Sequence, residues 1–255
     1  MQKIASLNQL KTLLDRGRPL ASNCYHLLSA FRDCIEEGRL SAWVGAGAIL
    51  LTEEFPDVYQ ACAYLYHDEI PFELPDLSKP LLMEVVVRGS GEKERRFLDY
   101  WQQQGFTSAR RRVLMTCSAP VSQAACCALQ VIRADERLAE QSLTLFRSQL
   151  DVLTVRLPAQ LEREHLFCAV APNGELAGAL HYSLSGASAT LEHIAVWPQY
   201  RRMGIAKALV SAWFACCCGP CKLWVIDDNT PAVKLYASMG FTDSGRSCYS
   251  LLYQK

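Results

Sequence analysis

The chain has 255 residues, half of them apolar and one-fifth charged. That is an ordinary globular composition with enough apolar side chains to bury a core in one large domain or two modest ones. The formal net charge is zero, so no basic excess points to nucleic acid and no acidic tail points to a basic partner.

Met1 to Leu10 has no long apolar stretch behind a basic start and reads as a poor signal peptide. Cys24 to Glu37 reads as a helix. Leu40 to Leu51 and Tyr59 to Tyr66 read as strands around a turn at Glu53 to Asp57. Ala42 to Leu51 is the longest apolar run, but glycines break it and it is too short to span a bilayer. A soluble cytoplasmic protein with no membrane partner is the expectation. After a Pro-rich stretch from Pro71 to Pro80, Leu82 to Val87 reads as a strand, Glu92 to Gln104 as a helix and Arg110 to Cys117 as a strand. Arg95-Arg96 and Arg110 to Arg112 lie among Glu92, Glu94 and Asp99 and read as a solvated face. Ser118 to Gln123 is small, polar and Pro-containing, a linker composition that separates a domain at 1–123 from one at 124–255.

The second half is more regular. Leu129 to Arg133 reads as a strand, Asp135 to Leu150 as an amphipathic helix, and Pro158 to Glu164 as a short helix. Leu166 to Val170, Leu176 to Leu184 and Ala189 to Val196 read as an antiparallel meander, punctuated by Pro172-Asn173-Gly174 and Gly186-Ala187-Ser188. A largely buried helix follows from Gly204 to Cys217, with Ile205, Leu209, Val210, Trp213 and Phe214 at helical spacing, and Gly219-Pro220 stops it. Lys222 to Ile226 is a strand. Thr230-Pro231 reads as the N-cap and first turn of a helix that ends at Gly240, and Ser247 to Tyr253 is a last strand. The expected fold class is α/β (α+β) in two domains, with mixed, mostly antiparallel sheets flanked by helices.

A faint internal repeat is present. A shift of 135 positions lays Gly105-Phe106 on Gly240-Phe241 and Tyr100-Trp101 on Leu235-Tyr236. Nothing between Tyr59 and Pro80 resembles Arg201 to Ala206, so the first half reads as a degenerate copy.

The stretch Arg201-Arg202-Met203-Gly204-Ile205-Ala206 carries the clearest chemistry. A helix N-terminus after a glycine turn is an anion site, because its first N–H groups lack internal partners and the macrodipole is positive there. Gly204 tolerates positive φ and close backbone approach. Alone, Arg-x-x-Gly-x-Ala is also explained by a solvated basic turn. Its context is more specific. Ile194-Ala195-Val196 precedes it, and Asn229-x-x-Ala232-x-x-Leu235-Tyr236-x-x-x-Gly240-Phe241 begins 25 residues after Gly204.

On these motifs the segment from Leu191 to Phe241 resembles the GNAT superfamily of acetyl-CoA-dependent N-acetyltransferases. The motifs cover about 50 residues, and the element order extends the likeness over the C-terminal half. The resemblance implies that backbone groups of Ile194 and Val196 pair with the pantetheine arm, that N–H groups from Arg202 to Lys207 (Met203, Gly204, Ile205 and Ala206 included) cradle the pyrophosphate, and that Asn229 stands near the pantetheine. At least one of Arg201 and Arg202 would touch a phosphate. Acetyl-CoA is then a cosubstrate, a primary amine the acceptor, and no metal is needed. A homodimer is compatible with this reading.

Direct transfer needs a neutral amine, oxyanion donors and a proton for the leaving thiolate. The resemblance places Tyr236 beside the sulfur as that acid; without it, Tyr236 reads as a core aromatic. Glu192 is the candidate base, since simple alternation puts it on one face with Ile194 and Val196; a solvated or cross-strand-paired carboxylate is the plainer reading. His181 and His193 are further candidates. Some family members keep a glutamate in the strand before the Asn, where this chain has Leu223-Trp224-Val225-Ile226. Two other functions compete: an acyl-CoA-binding regulatory module without turnover, and a thiol-redox protein built on Cys218-Gly219-Pro220-Cys221. The redox tetrapeptide needs its first Cys at a helix N-terminus, whereas here it follows a helix. The twelve cysteines otherwise read as reduced, small hydrophobes.

Overall fold

The computed structural model describes residues 2–24, 27–74, 76–89, 91–120, 129–150 and 161–254. In chain order the elements are β1 (Gln2–Lys3), α1 (Leu7–Leu14), β2 (Ala21–Ser22), α2 (Arg32–Glu36), β3 (Leu40–Val44), β4 (Ala48–Glu54), β5 (Tyr59–Leu65), β6 (Leu81–Arg88), α3 (Glu92–Gln103), β7 (Thr107–Cys117), β8 (Gln130–Arg133), α4 (Glu136–Gln149), β9 (Leu166–Val170), β10 (Leu176–Ser185), β11 (Ser188–Val196), α5 (Ile205–Cys216), β12 (Cys221–Ile226), α6 (Thr230–Ser238) and β13 (Thr242–Tyr253). The chain is a mixed α/β fold, its sheets mostly antiparallel and flanked by helices. No described helix is long and apolar enough to cross a membrane.

Two compact units form, and the first is made of two separate stretches. The first holds residues 1–111 and 246–255, the second 112–245. In the first, β1, β3, β4, β5 and β6 are neighbours in that order, and Arg246–Tyr253 of β13 completes the sheet against Arg88–Leu81. In the second, β8, β9, β10, β11 and β12 are neighbours in that order, and Arg112–Cys117 of β7 completes the sheet against Ile226–Cys221. The first unit therefore takes its closing strand from beyond the second, and the closing strand of the second lies at the start of its own span, ahead of the linker expected at 118–123.

The two strand orders are the same. Each has one parallel pair at the same place: Tyr59–Ala61 of β5 with Leu81–Met83 of β6, and Ala189–Leu191 of β11 with Cys221–Leu223 of β12. The 135-residue repeat extends to single bonds. Gly105 has φ 96° and Gly240 φ 91°. Phe106 N–H donates to Trp101 O at 3.1 Å, and Phe241 N–H donates to Tyr236 O at 3.1 Å. These are matching left-handed helix stops, for which glycine lacks the Cβ penalty. No described helix between β5 and β6 matches α5. The first half thus repeats the strand order of the second, without a counterpart of α5 among the described residues.

Three elements differ from the sequence expectation. The run Leu40 to Leu51 is not one strand but the hairpin β3–β4, turned at Gly45 to Gly47. A Cβ on Gly45 would lie 2.8 Å from Phe72 Cδ2 and one on Gly47 2.6 Å from His67 O, so the turn needs both glycines. Cys24 to Glu37 yields only a 3-10 turn, Leu28–Phe31, and the five-residue α2; Tyr25 and His26 lie outside the described residues. The helix expected at Pro158 to Glu164 is seen only as a 3-10 turn at Arg163–His165, with Pro158 to Gln160 outside the described residues. Helix α1, capped by the Ser6 hydroxyl accepting from Gln9 N–H, was not anticipated.

Candidate active site

The loop after β11 is built from two left-handed residues. Arg202 has φ 66° and Gly204 φ 76°. Gly204 is the N-cap of α5, and the first helical bond from it runs from Ala208 N–H to Gly204 O at 3.0 Å. The N–H groups of Ile205, Ala206 and Lys207 therefore open the helix without an intrahelical acceptor. Ile205 pins this end to the sheet, being buried in the core of the second unit with Leu209, Val210, Trp213 and Phe214. Gly178 on β10 permits that approach: a Cβ there would lie 3.0 Å from Ala195 O and from Val196 Cγ2, and 3.2 Å from Ile205 Cγ2. A lone glycine inside a strand is the signal that could have marked it.

The two arginines divide in role. Arg201 Nε donates to Val196 O at 3.2 Å and its Nη2 to Gln149 Oε1 at 2.6 Å. It ties the strand end, the loop and the end of α4 together, a structural use the sequence does not suggest. Arg202 and Met203 are exposed on the turn.

Strand β11 opens beside the loop. It pairs with β12 only over Ala189–Leu191, and from Glu192 onward it has no register partner on that side. On its other side it pairs with β10 as far as Val196 opposite Gly178. Ile194 and Val196 thus lie where β11 and β12 have parted, a slot in which an extended chain can pair with backbone.

Glu192 departs from the expected face. The β10–β11 register runs His181 opposite His193, then Tyr182 opposite Leu191, which leaves Glu192 as the extra residue of a bulge. Leu191, Ile194 and Val196 pack with the α5 core, whereas Ala195 packs with the α4 core and His193 stands 5.5 Å from the Phe146 ring of α4. Two residues, not one, separate Leu191 from Ile194 across the sheet, so the alternation linking Glu192 to Ile194 and Val196 does not hold. The Glu192 carboxylate is exposed and accepts from the Ser183 hydroxyl. The bulge sets its direction, and nothing in the local sequence announces it.

On the face of His193 lies His181, the two rings stacked at 5.7 Å. Burial holds the His181 imidazole below its usual range, opposed by the Glu162 carboxylate and reinforced by His165. Its Nδ1 has no hydrogen-bond partner among the described residues. His165 Nδ1 in turn meets Glu162 Oε2 at 2.7 Å. Among the described residues no group of three or more His, Cys, Asp or Glu is arranged to hold a metal ion.

Asn229 and Tyr236 frame α6. Asn229, not Thr230, is the N-cap: its Oδ1 accepts from Ala232 N–H at 3.2 Å, while Thr230 and Pro231 form the first turn. Tyr236 is 4 % exposed and meets Phe241 edge-on at 5.8 Å and 67°. Burial alone raises its phenol well above the ordinary tyrosine range, so it is protonated at neutral pH. In the first unit the equivalent residue is Trp101, fully buried and edge-on to Phe106 at 5.5 Å and 78°. The packing is repeated there, but the hydroxyl is not.

Comparison with known proteins agrees with this geometry. Residues 162–243 match the family model of the acetyltransferase (GNAT) domain. The streptothricin acetyltransferase of Streptomyces lavendulae is 40 % identical over 94 residues, 34 % of this chain and 49 % of that protein. The mycothiol acetyltransferase of Salinispora arenicola is 37 % identical over 78 residues, 30 % of this chain and 25 % of that protein. The aligned region thus spans about half of the first relative and a quarter of the second. Among solved structures, a GCN5-related N-acetyltransferase from Kribbella flavida superposes with TM-score 0.58 at 12 % identity, covering 91 % of this chain and 97 % of that one. A tandem GNAT protein from the clavulanic acid biosynthesis pathway superposes with TM-score 0.56 at 11 % identity, covering 99 % and 97 %. At such identities the structural likeness speaks for the fold, tandem copies included. The left-handed turn, the parted strands and the family match thus fall in the same residues, and residues 162–243 form an acetyltransferase (GNAT) domain.

Proposed function

We propose that the protein is an N-acetyltransferase that moves an acetyl group from acetyl-CoA directly to a primary amine, with its one acetyl-CoA site in the second half of the chain. The observation that carries this is the coincidence, within 194–207, of the parted strand and the left-handed turn that opens α5. The pyrophosphate lies on the N–H groups from Arg202 to Lys207, and Arg202 adds a free-standing charge. The pantetheine runs along Ile194 and Val196 like a further strand, with Asn229 near it. The two curated relatives are named as acetyltransferases, which supports an acetyl donor.

In the reaction the amine nitrogen attacks the thioester carbonyl, and backbone N–H groups of β11 near Val196 face the oxyanion. Tyr236 protonates the departing thiolate; a thiol near pKa 8.5 is a better leaving group when it takes that proton. Glu192, exposed on its bulge, takes the amine proton through water, with the Ser183 hydroxyl holding its carboxylate. Residues 1–123 act as an accessory copy and 124–255 as the transferase, although each borrows a strand from outside its own span.

The test is thiol release from acetyl-CoA across a panel of amines, amino acids and peptides. Acceptor-dependent release supports the enzyme. Binding of acetyl-CoA with no release for any acceptor favours the regulatory module instead.

A further inference from the structure

Strand β5 of the first unit parts from β6 as β11 of the second parts from β12. It pairs with β6 only over Tyr59–Ala61, and from Cys62 onward it has no register partner on that strand. β4 covers the opposite edge of β5 along its whole length, Tyr59 to Leu65. The short strand β2 pairs antiparallel with the remaining edge, Ala21 opposite Leu65 and Ser22 opposite Tyr64. β2 therefore lies inside the fork, where the chain supplies its own third strand.

The bonds it makes are to the lips of the fork. Leu20 N–H donates to Leu65 O at 2.8 Å, and the Ser22 hydroxyl donates to Ala63 O at 2.8 Å. Asn23, only 5 % exposed, closes the end. Its Oδ1 accepts from Ala63 N–H at 2.6 Å, and its Nδ2 donates to Ala61 O on β5 at 3.1 Å and to Glu84 O on β6 at 3.0 Å. One buried amide thus spends both of its N–H groups joining the two strands that have parted.

The parallel pairs align the two forks residue by residue. Tyr59–Ala61 corresponds to Ala189–Leu191. Glu192 is the extra residue of a bulge, and β5 has no such bulge against β4. Ala63 then corresponds to Ile194 and Leu65 to Val196. The packing agrees: Ala61, Ala63 and Leu65 join the core that holds Trp101, as Leu191, Ile194 and Val196 join the one that holds Tyr236. β2 also lies against α3, the helix that carries Trp101.

We propose that Leu20–Asn23 is a built-in occupant of the first fork, latched by Asn23, and that it closes this fork to acyl-CoA and to any other extended chain. The likeness to a pantetheine slot rests on the proposed reading of residues 194–207; the latch does not. An open fork exposes unpaired N–H and C=O groups, which an added strand satisfies. In the second unit that strand is the cosubstrate. In the first it is the chain itself, bonded to Ala63 and Leu65, the counterparts of Ile194 and Val196.

Hydrogen exchange of the full chain, read by mass spectrometry with and without acetyl-CoA, tests this. Acetyl-CoA should slow exchange in 188–207 and leave 20–24 and 59–66 unchanged, with a single acetyl-CoA bound per chain by calorimetry. Asn23→Ala strands Ala63 N–H and the carbonyls of Ala61 and Glu84, so exchange in 59–66 should rise about tenfold or more. Ser22→Ala removes one bond and should raise it less; should Asn23→Ala not fold, this milder variant decides the latch. Slower exchange in 59–66 with acetyl-CoA, a second acetyl-CoA per chain, or unchanged exchange in 59–66 in the deciding variant would overturn the proposal. Absence of any acetyl-CoA binding would refute the transferase reading, while the variants would still decide the latch.

Discussion

Replacing Tyr236 with Phe separates packing from chemistry at one atom. The ring stays 4 % exposed and edge-on to Phe241, and the bond from Phe241 N–H to Tyr236 O is backbone only. The fold should therefore lose about 1 kcal/mol or less, the net worth of one hydroxyl. Turnover should change far more. A positioned acid contributes roughly 10²–10⁴-fold, so kcat should fall at least about 100-fold, or about 2.7 kcal/mol of barrier. The acetyl-CoA Kd should be unchanged, because the hydroxyl acts on the leaving thiolate and not on the bound thioester. Burial keeps the phenol protonated above the ordinary tyrosine value near 10, so the loss should be uniform from about pH 6 to 9. The assay is thiol release under saturating acceptor, with Kd from calorimetry. Turnover within about twofold of wild type would refute the acid role.

Two further predictions concern stability. Leu251 is fully buried in the core of the first unit although it lies at the end of the chain. Leu251→Ala should cost about 2–5 kcal/mol and should raise hydrogen exchange in Leu81–Arg88, its partner strand, more than in α5; exchange rising only within 112–245 would contradict the strand's placement. For His181, burial lowers the folded-state pKa. The unfolded chain then binds more protons as pH falls below about 6.5, so the His181 contribution to stability is present above that value and lost toward the lower folded pKa. The thermal midpoint should drop between about pH 7 and 5, and His181→Gln should reduce the drop; an unchanged pH dependence would show that His181 is not responsible.

The turn that opens α5 was legible because its signals are local. Gly204, the apolar helix behind it and the Asn229-to-Phe241 pattern each fix their own backbone. The repeat was legible for the same reason, since Gly105 and Gly240 stop their helices with the same bonds. What sequence missed depends on partners far along the chain. The bulge at Glu192 comes from register against β10, and a one-residue slip in either strand would send the carboxylate elsewhere. The exchange of closing strands is invisible because Arg112–Cys117 and Arg246–Tyr253 both follow a helix and a Gly-Phe stop, so either could close either sheet. Thr230 looked like the cap because Pro231 follows it, yet Asn229 has the acceptor at the distance that Ala232 N–H requires.

The central claim is a single acetyl-CoA site on 194–207, and thermal unfolding with and without acetyl-CoA tests it most directly. At about 100 times Kd the ligand should add about 2.7 kcal/mol to the folded state, seen as a higher midpoint that keeps rising with concentration. No stabilisation by acetyl-CoA or any other acyl-CoA would contradict the account.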